Sequence, residues 1–423
     1  MEHALQVKIL KELLEQIETG KNVDAGVQYK MKTDVYVCPE VAAKEREVFF
    51  QNHPQLIGLS GDLPEPNTWF TVDDFGVPVL ATRDKDGNFK AFLNACRHRG
   101  ARLTKDTRGK GNRFICPFHA WTYSTAGELL GIPQKDHFGP LNDACDGLIQ
   151  LPAVEHRGML WVHPKPDGEL DVPALLGPLD EEVITYDFPR WVYSGETVIE
   201  MNLNWKLAND TFGETYHFQK LHKDTLGQLF HGDNLSYEVF GRNHRFVFAN
   251  KGIDMLRDVP ESEWTLDASA NLLYFLFPNV QMNIGGSNIS LIKMYPHPTD
   301  PGKSLTRISF YFTPEMIELA ASVKENSEIQ VVDASNVYDE MDPDMAPGEE
   351  VALTLEAITE VFSSTIADQD YVMGEQQQAA AQSGLLPHVW FGRNEPALHH
   401  YHNTFREALG MPLLEPVTES ADQ

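Results

Sequence analysis

The chain has 423 residues, which at roughly 150 residues per domain sets an expectation of two or three domains. Hydrophobic residues make up 42% and charged residues 23%, ordinary values for globular proteins, so collagenous, coiled-coil and wholly disordered classes are excluded. Lys plus Arg total 34 against 62 Asp plus Glu, a net charge of −28 that repels phosphate backbones and anionic membrane surfaces, so neither nucleic acid nor membrane is expected as a partner.

No apolar run approaches the roughly 18 residues of a membrane-spanning helix. The opening MEHALQVKILKELLEQIETGKN intersperses charges where a signal peptide would be apolar, so the expectation is a soluble, cytoplasmic protein. Within it, residues 4–18 place Leu5, Ile9, Leu10, Leu13 and Ile17 at helical spacing, predicting an amphipathic helix that packs on the body or on a neighbouring subunit. Residues 1–50 are read as this helix and a lead-in.

From 51 to 166 the pattern changes to short β-rich runs broken by turn residues, among them TWFTVDDFG, FKAFLNACRHRG and FICPFHAWTYSTAGELLG, which predicts a compact all-β module. A Pro/Gly/Asp-rich passage then predicts a linker over 167–188. The remainder, 189–423, reads as α+β. Strands are expected at 192–203, 235–250, 271–284, 288–296 and 305–314, with Gly285–Gly286 as a hairpin turn, and helices around 205–221 and 350–382.

Four cysteines occur, at Cys38, Cys96, Cys116 and Cys145, too few for a disulfide scaffold of this length. Two belong to a motif: Cys96-Arg97-His98, seventeen intervening residues, then Cys116-Pro117-Phe118-His119. Two Cys and two His also suit tetrahedral zinc, but zinc fingers pair Cys with Cys in one half and His with His in the other. Here each half supplies one of each, which suits a 2Fe-2S centre with one iron on two Cys and the other on two His.

The segments CRHRGARL and CPFHAWTYSTAGEL resemble the cluster-binding loops of Rieske non-haem iron oxygenases, specifically the aromatic-ring-hydroxylating dioxygenase alpha (large) subunit. The resemblance implies that Cys96 and Cys116 hold one iron of a Rieske 2Fe-2S cluster while His98 and His119 hold the more exposed one. Trp121 and Tyr123 match aromatic positions beside the cluster, and serve equally as strand core. Cys38 and Cys145 are expected to be free structural thiols.

A second constellation runs from Asn204 through Asp210, Glu214 and His217 to His222. On a helix Asp210, Glu214 and His217 would share one face, costly to bury without a metal or proton network. His222 falls about 140° further round, so a bulge or helix end is expected between the two histidines. Two His and a carboxylate make the facial triad of a mononuclear Fe(II) site with positions open for dioxygen. Asp370 and Asp368 compete for the third place, and the apolar face that Asp370 shares with Phe362, Ile366 and Met373 favours it. The family pattern of Asp, a Glu five residues on and a Gln three later lands on Asp370, Glu375 and Gln378. A di-iron bundle needs a second Glu-x-x-His pair, and no suitable one is present.

The resemblance further implies an α+β architecture, an all-β Rieske domain plus a helix-grip catalytic domain whose antiparallel sheet wraps a long helix. It implies a head-to-tail trimer, alone or with a small β subunit, in which Asp210 bridges the neighbour's His119 to His217. Relatives acting on quaternary amines carry Glu there, so Asp tilts towards ring hydroxylation. No GxGxxG follows a strand, so electrons are expected from a separate NAD(P)H reductase or ferredoxin. The expected activity is that of a terminal oxygenase that hydroxylates an apolar, aromatic or alicyclic compound with dioxygen; the alternative is a monooxygenase or demethylase of an N- or O-methyl compound. Loose pocket candidates are Phe212, Phe218, Phe275, Phe277, Met282, Ile289 and Met294, with Arg242, Arg245 and Arg257 as possible carboxylate partners. Two non-oxygenase readings compete: an electron carrier with a degenerate second domain, and a zinc-stabilised binding protein.

Overall fold

The computed structural model describes residues 1–139, 147–325, 330–332 and 351–417; Cys145 lies outside them. The chain forms two compact units, one comprising 43–175 and 186–193, the other 1–42, 176–185 and 194–423. Residues 167–188, expected as a linker, include two short helices, Val172–Leu176 and Leu179–Val183, that bury Val172, Leu176, Leu179 and Val183.

The first unit is all-β. A five-stranded antiparallel sheet runs in the order 150–151, 89–93, 79–83, 68–72, 108–110, and a three-stranded sheet pairs 153–156, 159–162 and 55–59. A third sheet, 113–115, 122–124 and 129–131, carries the second Cys/His loop on its first hairpin. Its second hairpin turns at Gly127, where the backbone is left-handed (φ +84°) and a Cβ would stand 2.3 Å from Phe92 Cε1, so only glycine fits.

In the other unit helix α1 (His3–Thr19) buries Ile9, Leu10, Leu13 and Leu14 along one face and ends at Gly20 in the left-handed region. It docks on the unit's own body, since Asn234 Nδ2 donates to Leu13 O and Gln16 Nε2 to Leu235 O. The main element is a seven-stranded antiparallel sheet: β1 (Val192–Met201), β2 (Ser236–Phe240), β3 (Asn243–Ala249), β4 (Ala270–Leu276), β5 (Val280–Ile284), β6 (Asn288–Pro296) and β7 (Ser304–Phe312), in spatial order β1-β7-β6-β5-β4-β3-β2. The stretch 271–284 is thus two strands rather than one. Pro278 has no N–H to continue a ladder, and the chain reverses at Phe277–Asn279.

Helix α2 (Trp205–Asp210) is capped by the Asn204 side chain, which accepts from Lys206 N at 3.0 Å, and it is shorter than the 205–221 expected. The late helix begins at α3 (Leu355–Thr365), widens into one π-helical turn (Ile366–Asp370), and continues as α4 (Tyr371–Gln382). Helix α5 (Pro396–Ala408) packs Tyr401 and Phe405 against Phe275 of β4. The antiparallel sheet with a long helix is the α+β architecture expected.

Candidate functional site

The two Cys/His loops close in the same way. Cys96 N donates to Ala101 O and Cys96 O accepts from Gly100 N, both at 2.8 Å; Cys116 N donates to Trp121 O at 2.8 Å and Cys116 O accepts from Ala120 N at 2.9 Å. Each loop turns through a left-handed residue four places after its cysteine, Gly100 (φ 73°) and Ala120 (φ 58°). The thiols are buried in a core with Phe114, Trp121 and Tyr123, whereas His98 is half-buried and His119 exposed. The two rings lie 4.6 Å apart, and Trp121 stacks on His98 at 5.1 Å and 4°. Tyr123 Oη sits 3.4 Å from Cys96 Sγ and accepts from Arg97 N at 3.1 Å. Burial pushes the Cys96 thiol up, opposed by the Tyr123 hydroxyl. Partial desolvation, then the charges of His98 and Arg99, hold His119 below its usual range, in the neutral form that ligates metal.

In the other unit the chain leaves α2 through turns over 211–225 that bring His217 and His222 to the late helix. Glu214 holds His217 twice, accepting from its backbone N at 3.0 Å and from Nδ1 at 2.5 Å. Gln369 Oε1 accepts from His222 Nδ1 at 2.7 Å and from the Thr225 hydroxyl at 3.0 Å. With both Nδ1 atoms engaged, both Nε2 atoms face Asp370 Oδ1, at 3.3 Å from His217 and 3.1 Å from His222. These ligand atoms lie within 4.8 Å of one another, near enough to share one ion. Asp370 closes the π-helical turn, a distortion common at functional sites, while Asp368 is exposed. Burial opposes charge on His217, but Asp370 and Glu214 outweigh it and its pKa is pushed up to about 10. Burial likewise opposes charge on Asp370, and the two imidazoles outweigh it, holding the carboxyl below its usual range.

Asp210 is elsewhere than expected. Its Oδ2 accepts from the Tyr36 hydroxyl at 2.7 Å, and both oxygens accept from His402 Nε2 at 3.0 Å. Because α2 stops at Asp210, residues 210, 214 and 217 do not share a helical face, and the carboxylate on His217 is Glu214. Glu375 Oε1 accepts from Asn202 N at 2.9 Å and Gln378 Oε1 from Asn204 N at 3.0 Å, tying α4 to the strand end that leads into α2.

A cavity of about 340 Å³ opens on His217, His222 and Asp370. Phe212 and Phe218 line it, with five further phenylalanines, Phe230, Phe246, Phe248, Phe310 and Phe362. The other pocket candidates do not: Met282 and Ile289 project from the opposite face of the sheet, and Phe275 and Phe277 pack on α5. No Lys or Arg is among the described lining residues. Arg245 pairs with Glu182 and Glu238, Arg257 with Glu18, and Arg242 lies over Phe277.

The family described as Ring hydroxylating alpha subunit (catalytic domain) matches residues 188–411, more than half of the chain, and the Rieske [2Fe-2S] domain matches 53–152. The chain belongs to the ring hydroxylating alpha subunit family. Among its relatives, the glycine betaine monooxygenase oxygenase subunit of Chromohalobacter salexigens is 31% identical over 43% of this chain and 40% of its own length. The toluate 1,2-dioxygenase subunit alpha of Pseudomonas putida is 28% identical over 45% of this chain and 43% of its own length. The chain therefore spans less than half the length of these curated relatives. A crystal structure of a quaternary ammonium Rieske monooxygenase superposes with a TM-score of 0.70 at 19% identity, over 91% of this chain and 96% of that one, and so shares the fold.

As a ring hydroxylating alpha subunit the chain carries a Rieske 2Fe-2S cluster in one domain and a mononuclear iron in the other. The residues fit both groups. Two buried thiols beneath two outward imidazoles match a cluster with unlike ends, and two imidazoles with fixed tautomers around one carboxylate match a facial triad. Reading the sequence missed Glu214 as the partner of His217, although the Glu-x-x-His spacing announced it. It also missed Gln369, Tyr36 and His402, which carry no local signal.

Proposed function

We infer that this chain is the terminal oxygenase component of a multicomponent Rieske system that hydroxylates an uncharged aromatic or alicyclic substrate. The observation that carries the reading is the cavity beside His217, His222 and Asp370, lined by seven phenylalanines and by no described Lys or Arg. Such walls are mostly apolar and offer nothing to neutralise a carboxylate. Bound iron supplies the open coordination positions at which dioxygen is activated. The protein's part is to hold that centre in shape. Glu214 and Gln369 keep the Nδ1 protons of His217 and His222, so both Nε2 atoms point inward, where a bound metal would take the place of any proton on them. Asp210, tied to Tyr36 and His402, positions the end of α2 from which the histidine-bearing turns depart. Cys96, His98, Cys116 and His119 hold the electron-storing cluster. Electrons come from a separate NAD(P)H reductase or ferredoxin, in a cytoplasmic homotrimer or α3β3 assembly that passes them between neighbours.

The second reading, oxidation of an N-methyl compound, is favoured by one observation. The carboxylate on His217 is a Glu, as in relatives acting on quaternary amines, so the tilt drawn from Asp210 falls away. Aromatic walls also accept alkylated ammonium groups.

Single turnover decides between them. Reduced holoprotein is mixed with dioxygen and a panel of arenes, alicyclics and methylated amines. Faster cluster oxidation and labelled product with an arene or alicyclic are expected; product from methylated amines alone replaces the first reading with the second. Asp370→Ala is expected to keep the cluster absorbance and yield no product. Product from that variant would remove Asp370 from the iron site.

A further inference from the structure

Five cavity-lining side chains fall on one row across the sheet. Phe246 on β3 pairs with Leu273 on β4, Leu273 with Asn283 on β5, Asn283 with Ser290 on β6, and Ser290 with Phe310 on β7. The row is apolar at both ends and polar in the middle. Asn283 is 5% exposed and Ser290 0%, yet Asn283 Oδ1 and Ser290 Oγ have no hydrogen-bond partner among the described residues. Buried amides and hydroxyls are almost always bonded, because leaving them bare in an apolar setting is costly. Strand pairing does not require them, since the ladder uses backbone groups alone. Two adjacent bare polar atoms on the wall of a substrate cavity are therefore suited to a group that arrives from outside.

We propose that Asn283 and Ser290 form a hydroxyl-recognition site, and that the substrate is a neutral ring compound bearing a hydroxyl group. One hydroxyl satisfies both residues, donating to Asn283 Oδ1 and accepting from Ser290 Oγ–H. A ketone oxygen accepts from Ser290 but leaves Asn283 Oδ1 bare, and a carboxylate would meet that oxygen with no cation at hand. Phe246, Leu273 and Phe310 then take the ring. Anchoring one end of the ring at this row selects which carbon faces His217, His222 and Asp370 across the same cavity. The assignment rests on the apolar-substrate reading above and narrows it.

The test is anaerobic calorimetry on the holoprotein with matched pairs: naphthalene and 2-naphthol, indane and 5-indanol, decalin and decahydro-2-naphthol. The hydroxylated member of at least one pair is expected to bind about tenfold tighter or more, against its lower hydrophobicity. In the Asn283→Leu/Ser290→Ala variant the preference should vanish while the hydrocarbon binds at least as well. Cluster absorbance and iron content verify folding; should the double variant fail to fold, Ser290→Ala alone should reduce the preference. Equal affinities within every pair, or a preference that survives the substitutions, overturns the proposal and leaves a water as the pair's occupant. Binding by neither member of any pair overturns the apolar-substrate reading as well, which separates the two failures.

Discussion

At the residue scale the two histidines that face Asp370, His217 and His222, are held by unlike partners. His217 donates to a carboxylate and His222 to an amide, so the first ring is the more electron-rich and its Nε2 the stronger donor. Glu214→Gln keeps the size of the side chain but removes the charge and one of the two acceptors that His217 uses. It is expected to lower turnover roughly 10–100-fold with cluster absorbance unchanged. Unchanged turnover would show that the carboxylate of Glu214 has no part in the reaction.

At the element scale, what positions each site is a break in regular structure. The π-helical turn brings Asp370 to the histidines, the early stop of α2 moves Asp210 away from them, and the Gly127 turn fixes the sheet beneath the second Cys/His loop. Gly127→Ala must place a methyl group against Phe92 in a left-handed backbone. It is expected to destabilise this unit by about 2–4 kcal/mol, read as loss of the cluster chromophore at lower temperature. A variant as heat-stable as the parent would mean that Phe92 can move aside. Such breaks explain where the sequence was legible. Cys96, His98, Cys116 and His119 carry their chemistry in residue type and spacing, and the Cys-to-His pattern alone separated a cluster from zinc. The tie of Asp210 to Tyr36 and His402 depends on where a helix stops and on residues 174 and 192 positions away, so neither the helical spacing nor the resemblance that linked Asp210 to His217 pointed to it.

At the scale of the whole molecule the acid limit of stability is set partly by buried imidazoles. His244 is fully buried, and His400, which donates through Nε2 to Gly241 O, accepts from His244 Nδ1 at 2.9 Å, leaving His244 Nε2 without a partner among the described residues. Burial, then the neighbouring His400, holds its pKa well below the ordinary value of 6.5. The unfolded chain takes up a proton below that value and the folded one does not. His244 thus contributes stability that is fully present above about pH 6.5 and is lost as pH falls, by about 1.4 kcal/mol per pH unit. His244→Phe, which retains an aromatic ring against Phe275 and Tyr401, is expected to flatten the decline by that amount in urea unfolding between pH 7 and 5. An unaltered slope would show that folded His244 accepts a proton readily.

The twin closure of the two Cys/His loops has a consequence for how fast charge can move. Each cysteine is clamped fore and aft by its own backbone, so the cage keeps its shape whichever charge it holds. The four side chains that would hold a cluster would therefore need to move little when its charge changed, and a transfer that demands little reorganisation of the protein would be fast in both directions.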